Sequence, residues 1–418
     1  MATASGKPSN LLSLHWWRES SPIARRALVA ASMGWLLDSF DVMLYALVLA
    51  ALMADLNMST ATGGSLASVT LAASAVGGIL FGVFADRFGR VRALIWSILI
   101  YSVFTAACGF AQSVRQLAVF RVFLGIGMGG EWASGAALIS ETWPAEHRGK
   151  ALGLMQSSWA LGYAAAAVVT ALVLPSLGWR AVFFVGILPA LFTVWIRRRL
   201  EEPEIWQASA RSSKSLGRFS SMFRRDLRGL TVAVTLMNAC IMFAWWGFNL
   251  WIPAYLSLSV EDGGIGLSAY AMSGLIIAMQ IGMWFGYVMF GFVSDRVGRK
   301  RTYIVYLLIA AALILAYTST RNPIALLILG PFVAFFGTGS FSGFGAVTAE
   351  IYPTEIRATA QGFTYNIGRL ASAAAPWIVG SLAETHGFAS ALSITSAAFV
   401  VAAIFWIWIP ETRGRELR

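Results

Sequence analysis

The chain has 418 residues, of which 58% are hydrophobic and only 12% charged, about half the charged share of soluble domains. Runs of about 20 apolar residues recur along nearly its whole length, each able to cross ~30 Å of hydrocarbon, which excludes a soluble globular core. The net charge of +11 does not point to nucleic acid: 26 of the 31 Lys and Arg lie in alternate polar segments, three in the intervening loops and two within apolar runs. That asymmetry follows the positive-inside rule and places both termini in the cytoplasm.

Residues 1–24 form a polar cytoplasmic segment with a short stretch around His15, Trp16 and Trp17. The stretch is too short for a signal-peptide core and reads as an interfacial anchor. Twelve apolar spans follow, at 28–53, 63–85, 93–111, 116–140, 151–174, 180–196, 230–254, 266–293, 302–319, 323–349, 359–383 and 388–409. Pro175 and Gly178 punctuate spans five and six, Pro323 opens span ten, and Pro410 closes span twelve. The polar stretch 201–228, rich in Arg, Ser and Glu, divides the spans six and six. The expected fold is an all-α membrane protein of twelve transmembrane helices in two pseudo-symmetric six-helix bundles, 25–200 and 229–409. A cytoplasmic linker (201–228) and tail (410–418) complete it. Cys108 and Cys240 lie inside spans of different halves, and no disulfide is expected.

The halves repeat each other. Gly82-Val-Phe-Ala-Asp86-Arg87-Phe-Gly89-Arg90 returns as Gly291-Phe-Val-Ser-Asp295-Arg296-Val-Gly298-Arg299, 209 residues later (291 − 82). Glu141-Thr-Trp-Pro144-Ala-Glu146-His-Arg148 returns at the same offset as Glu350-Ile-Tyr-Pro353-Thr-Glu355-Ile-Arg357. Two homologous apolar halves suit a transporter that rocks around a central site.

A charge at mid-bilayer costs at least ~2.5–3.5 kcal/mol, so each one calls for an explanation, and the repeat sorts them. Charges present in both halves are expected to serve gating: Asp86/Asp295, Arg87/Arg296, Arg90/Arg299, Glu141/Glu350 and Arg148/Arg357. Five charges stand in one half only, because Asp38 faces Gly247, Asp41 faces Leu250, Arg121 faces Gly330, Glu131 faces Ser340 and Arg369 faces Ala160.

Asp38 and Asp41 share one helical face, ~18 and ~22 Å along span one from Arg26. Carboxyls placed together in low dielectric can carry and release a proton, or they can serve as structural hydrogen-bonding groups. Glu131 lies ~15 Å deeper in span four than Arg121, near the midplane, as proton carrier or as half of a structural ion pair. Arg121 either snorkels to the headgroups or pairs with a span-one carboxylate. Arg369, the mid-span cation of the second half, must be neutralised by a carboxylate of the other half or by an anionic substrate, whose carboxylate its planar fork would hold at two points.

Tyr365 and Asn366 precede Arg369 by about one turn, and Trp246, Asn249 and Gln280 are further candidates for substrate contact, with Trp245 and Trp251 beside them. Aromatics in spans equally serve packing or the interfacial belt. His15, His147 and His386 lack metal-ligand spacing, and no phosphate loop or zinc motif is present, so no metal, cofactor or catalytic residue is expected.

The paired Gly-x-x-x-Asp-Arg-x-Gly-Arg loops resemble the signature loop of the major facilitator superfamily. Arg121-x-x-x-Gly125-x-Gly127, Arg148-Gly149 and Pro410-Glu411-Thr412-Arg413-Gly414 are similar to further motifs of that family. Asp38-Ser-Phe-Asp41 and Gly129-Gly130-Glu131-Trp132 look like the sialate:proton and aromatic-acid:proton symporters, although the latter usually carry Gly in place of Ser39. The resemblance implies proton-coupled uptake of a small organic anion by alternating access. The expected setting is a bacterial inner membrane, with lipid bilayer, anion and proton as partners and the chain acting as a monomer. Pro-Glu-Thr-Arg-Gly also resembles sugar porters, which leaves a sugar or compatible-solute transporter as the alternative; Arg369 weighs against a neutral sugar.

Overall fold

The computed structural model describes residues 17–18, 20–202, 222–353 and 356–413. Most of the predicted linker, residues 1–16 of the amino-terminal segment and residues 414–418 of the tail lie outside them, as do the side chains of Asp86, Arg148 and Arg357. The long helices are α1 (Pro22–Leu56), α2 (Thr60–Phe88), α3 (Arg90–Cys108), α4 (Val114–Thr142), α5 (Ala145–Val185) and α6 (Leu188–Arg199) in the first half. The second half contributes α7 (Arg228–Ser257), α8 (Ala269–Val297), α9 (Arg299–Ser319), α10 (Pro323–Ile351), α11 (Arg357–Ser372) and α12 (Ala375–Phe405).

Ten apolar segments among the described residues are long enough to cross a membrane, and two of these run for 47 and 46 residues. A straight helix of that length would extend ~70 Å, more than twice the hydrocarbon thickness. Each is broken by a glycine with positive φ: Gly178 (φ 73°, ψ 177°) within α5 and Gly387 (φ 75°, ψ 161°) within α12. These breaks are 209 residues apart (387 − 178), so the backbone repeats where the sequence does. Left-handed or similarly strained backbone suits glycine, which has no Cβ to clash.

Span eleven departs from the expectation of one continuous helix over 359–383. It parts between α11, which ends at Ser372, and α12, which starts at Ala375. Pro376 explains the break, since it lacks an N–H and its ring clashes with the carbonyl four residues earlier. Its own carbonyl accepts the Trp251 indole N–H at 2.8 Å. Arg369 therefore occupies the last turn of a short helix, where the negative end of the helix dipole faces a cation.

Close glycine contacts hold α2 against α4. A Cβ at Gly129 would collide with the Ser74 carbonyl and the Gly78 amide, and one at Gly77 with the Ile126 backbone. Small residues at such crossings let membrane helices approach without a gap. The halves meet where α1 packs on α7, α2 on α11 and α12, and α5 on α8. Thr60 Oγ1 donates to the Gly380 carbonyl at 2.9 Å, and the Trp377 amide donates to Ser68 Oγ at 3.1 Å.

The repeated loops build matching caps. In the first half Arg90 donates to Glu141 at 2.9 and 3.1 Å, and Glu202 accepts from the backbone amides of Val91 and Arg92, both at 3.1 Å. In the second, Arg299 pairs with Asp295 at 2.5 Å and Glu350 at 3.1 Å. Glu411 accepts from the amides of Arg299 at 2.8 Å and Lys300 at 3.1 Å. Glu202 and Glu411 are again 209 apart (411 − 202); the sequence reading did not pair them, although the offset was there to find. Arg87 lies over the Phe88 ring, and Arg296 is exposed.

Partial burial by itself would raise the Glu411 pKa, yet the amides of Arg413, Arg299, Lys300 and Thr412 hold it below the usual carboxylate value. A lowered folded-state pKa contributes stability that is present above the unfolded value of ~4.3 and lost as pH falls through the folded value. Glu411→Gln should therefore be less thermostable than the parent at pH 7 and at pH 5, with the gap closing only below about pH 4.3. Thermal unfolding across that range is the measurement, and a gap that closes already at pH 6 would count against the cap.

Candidate substrate and coupling site

α1 places Asp38 and Asp41 in the interior, and α4 brings Glu131 against them. Glu131 fits because position 34 is glycine: a Cβ there would press on its Oε1. Asp38 Oδ2 and both carboxyl oxygens of Asp41 and of Glu131 find no hydrogen-bond partner among the described residues. The Tyr101, Ser102 and Ser134 hydroxyls are buried without partners too, and the Thr105 hydroxyl faces Asp41 without meeting hydrogen-bond geometry. Burying an ionised carboxylate without partners costs far more than burying the neutral acid, so this pocket suits groups that carry protons.

Arg369 approaches from the other half. It is 4% exposed, and its guanidinium makes no ion pair or hydrogen bond among the described residues. Asp38 and Glu131 both lie within its electrostatic reach, although neither closes to ion-pair distance. The guanidinium faces a narrow cavity of about 40 Å³ between the halves, lined also by Trp35, Gln156, Trp159, Met242, Trp245, Trp246, Asn249, Tyr287, Phe341 and Tyr365. Its rings interlock: Trp35 and Trp159 are 4.7 Å apart, and Trp246 meets Trp159 edge-on at 5.9 Å. Trp132 and Tyr365 stack across the halves at 4.4 Å. A volume of about 40 Å³ admits a few water molecules but no carboxylic acid. A substrate therefore requires the halves to part.

Of the sequence candidates, Arg369, Tyr365, Trp245, Trp246 and Asn249 share this cavity. Asn366 instead donates to the Gly362 carbonyl at 2.9 Å and lies near Gly78 of α2. Gln280 donates to the Ile276 carbonyl at 3.3 Å, away from the cavity. Arg121 neither reaches outward nor meets a span-one carboxylate. Its guanidinium lies 3.6 Å from the Tyr45 ring centroid and donates to the Leu66 carbonyl at 3.3 Å. Sequence reasoning missed Trp35, Gln156, Trp159, Met242, Tyr287 and Phe341. Uncharged residues pass unseen through a filter for unmatched charge, but Trp35, three residues before Asp38, shares its helical face.

The sequence matches the Major Facilitator Superfamily over residues 31–287 and 263–418. The chain belongs to that family. Across 388 residues it is 32% identical to the cis,cis-muconate transport protein of Acinetobacter baylyi, covering 90% of this chain and 92% of the relative. It is 31% identical to a sialic acid transporter of Escherichia coli, covering 92% and 93%. The solved structure of a D-xylose-proton symporter superposes with a TM-score of 0.76 over 94% of this chain and all of that one, at 22% identity, which speaks to the fold. This major facilitator is thus a multi-pass membrane transporter and not an enzyme.

Within this transporter, Arg121 reads as a packing cation. Lysine keeps the charge but loses the flat stacking on Tyr45 and the fork toward Leu66. Arg121→Lys should lower the melting temperature by several degrees while affinity for the transported substrate stays within about threefold of the parent. Thermal unfolding and calorimetry read the two effects separately; a loss of affinity as large as that of Arg369→Ala would move Arg121 into the site.

Proposed function

We propose that this transporter is a proton-coupled symporter that takes up a small organic anion by alternating access. In this reading it spans the inner membrane of a bacterium twelve times with both termini cytoplasmic, and works as a monomer without cofactor. The observation that carries the proposal is Arg369: a buried cation without an acceptor among the described residues, facing the cavity between the halves, with the acids Asp38 and Glu131 within reach but not in contact. A substrate carboxylate would take the free fork of Arg369, and a proton would sit on the Asp38, Asp41 and Glu131 group. Once both are bound the cavity approaches neutrality, and a neutral cavity crosses between states more cheaply than a charged one.

The relatives transport muconate and sialic acid by name, which supports an organic acid as substrate. The aromatic lining favours a planar, unsaturated or aromatic acid, because its Trp, Tyr and Phe rings offer faces for stacking. A neutral sugar or compatible solute is the second reading, and it leaves Arg369 without a counter-charge.

In the proposed cycle residues 25–200 rock against 229–409. The caps around Arg90 and Glu141, and around Asp295, Arg299 and Glu350, would set the rate of switching.

Arg369→Ala should weaken carboxylate binding about 10- to 100-fold, since hydrogen bonds to charged groups contribute about 1.5–3 kcal/mol. Arg369→Lys should recover little of it, because an ammonium lacks the fork. Calorimetry with cis,cis-muconate and benzoate is the test, and undiminished affinity in Arg369→Ala would bring the neutral-substrate reading forward. For coupling, Asp41→Asn should lose accumulation driven by a pH gradient in vesicles yet retain substrate-for-substrate exchange. If Asp41→Asn still concentrates substrate, the proton resides on Asp38 or Glu131.

A further inference from the structure

Away from the central cavity, a groove opens between α3 and α6 at the end where Glu202 caps α3. It encloses about 600 Å³ lined by Val91, Arg92, Ile95, Trp96, Leu99 and Leu200, with Glu202 at its edge. A second hollow of about 460 Å³ shares Ile95 and Leu99 and continues to Val194 and Arg198. The two hollows adjoin at Ile95 and Leu99 as a trough with largely apolar walls, with Arg92 in the first and Arg198 in the second. Both arginines are exposed, and neither guanidinium makes an ion pair or hydrogen bond among the described residues. Trp96, 54% exposed, stands in the wall. The Glu202 carboxylate is committed to the amides of Val91 and Arg92, where the positive end of α3 offsets its charge.

The corresponding place in the other half carries different side chains. Adding 209, Val91 becomes Lys300, Trp96 becomes Val305 and Arg198 becomes Ile407, while Arg92 keeps its charge as Arg301. Lys300 Nζ donates to the carbonyls of Ile409 at 3.2 Å and Ile407 at 3.5 Å, so its side chain lies across the corresponding place. In the first half Val91 is too short to do this. The trough stays open, and its second arginine has no counterpart.

We propose that this trough is a binding site for an anionic diacyl phospholipid. The phosphate sits between Arg92 and Arg198, whose planar forks match its oxygens. An acyl chain lies along Ile95, Leu99 and Val194, and Trp96 marks the headgroup boundary, where indoles prefer to reside. Basic pockets between membrane helices recognise anionic headgroups through this combination of charge and apolar wall. The lipid bridges α3 to α6, the last helix before the linker. The site is independent of the identity of the transported substrate.

The test uses the full chain purified in detergent. It is titrated with phosphatidylglycerol, with phosphatidylcholine and with inorganic phosphate, and bound lipid is counted by native mass spectrometry. Phosphatidylglycerol should bind more tightly than phosphatidylcholine, and excess inorganic phosphate should leave it in place. Arg92→Ala combined with Arg198→Ala should weaken it about 30-fold, since each basic residue near an anionic surface contributes about fivefold. Two single variants copy residues that the other half already tolerates. Arg198→Ile should lose about fivefold. Val91→Lys should also lose binding although it adds a positive charge, which separates filling the trough from bulk attraction. Equal retention of both lipids, unchanged affinity in Val91→Lys and Arg198→Ile, or displacement by inorganic phosphate would each overturn the assignment.

Discussion

A buried guanidinium with no counter-ion among the described residues is the constraint around which the rest of this molecule is arranged. In a low-dielectric interior such a charge is costly until an anion or an opposing carboxylate reaches it. Arg369 has neither at contact distance, and the nearest acids belong to the other half of the chain. Its cost is moderated by its place in the last turn of α11, where Pro376 ends the helix and the dipole presents its negative end. Just past the break the Pro376 carbonyl accepts the Trp251 indole N–H, tying α12 to α7. Site and fold thus share one proline.

The two ends of the site are built on different principles. The acid pocket of α1, α3 and α4 is rich in polar atoms without partners, an arrangement that is tolerable where groups are neutral and that responds sharply to a proton. The cavity beside Arg369 is lined by the rings of four tryptophans, two tyrosines and Phe341, with amides from Gln156 and Asn249 and the single charge of Arg369. In the proposed mechanism the first pocket handles the proton and the second the anion. Their separation across the interface of the halves makes each ligand sensitive to the other through Coulomb interaction rather than through shared contacts. The matched caps of Glu202 and Glu411 belong to neither; they secure the starts of α3 and α9 in both halves alike.

Internal duplication gives a control within one chain. Where both halves carry the same residue, as at Arg90 and Arg299, they build the same contact with Glu141 and Glu350. Where they differ, the surroundings differ as well: Lys300 covers a surface that Val91 leaves open, and Glu131 occupies space that Ser340 does not need. Comparison across the repeat therefore distinguishes architecture from specialisation without reference to any other protein.

Hydropathy, a fixed offset of 209 residues and the list of unmatched charges were legible in the sequence, because apolar length, chain period and charge are properties of single residues and their spacing. They yielded the helical membrane fold, the burial of Asp38, Asp41, Glu131 and Arg369, and the helix break near Gly178. What the tertiary structure decided are relations between distant residues. Arg121 belongs to the Tyr45 ring because α1 and α4 cross there, and spacing along either helix does not report that crossing. Gln280 and Asn366 turn to carbonyls of their own helices, while Gln156 and Trp159 line the cavity, since helix rotation about its axis is set by packing rather than by composition. Span eleven breaks after Ser372 because Pro376 has no N–H to offer the Ser372 carbonyl, and only the packed neighbours show that the Trp251 indole bonds the Pro376 carbonyl.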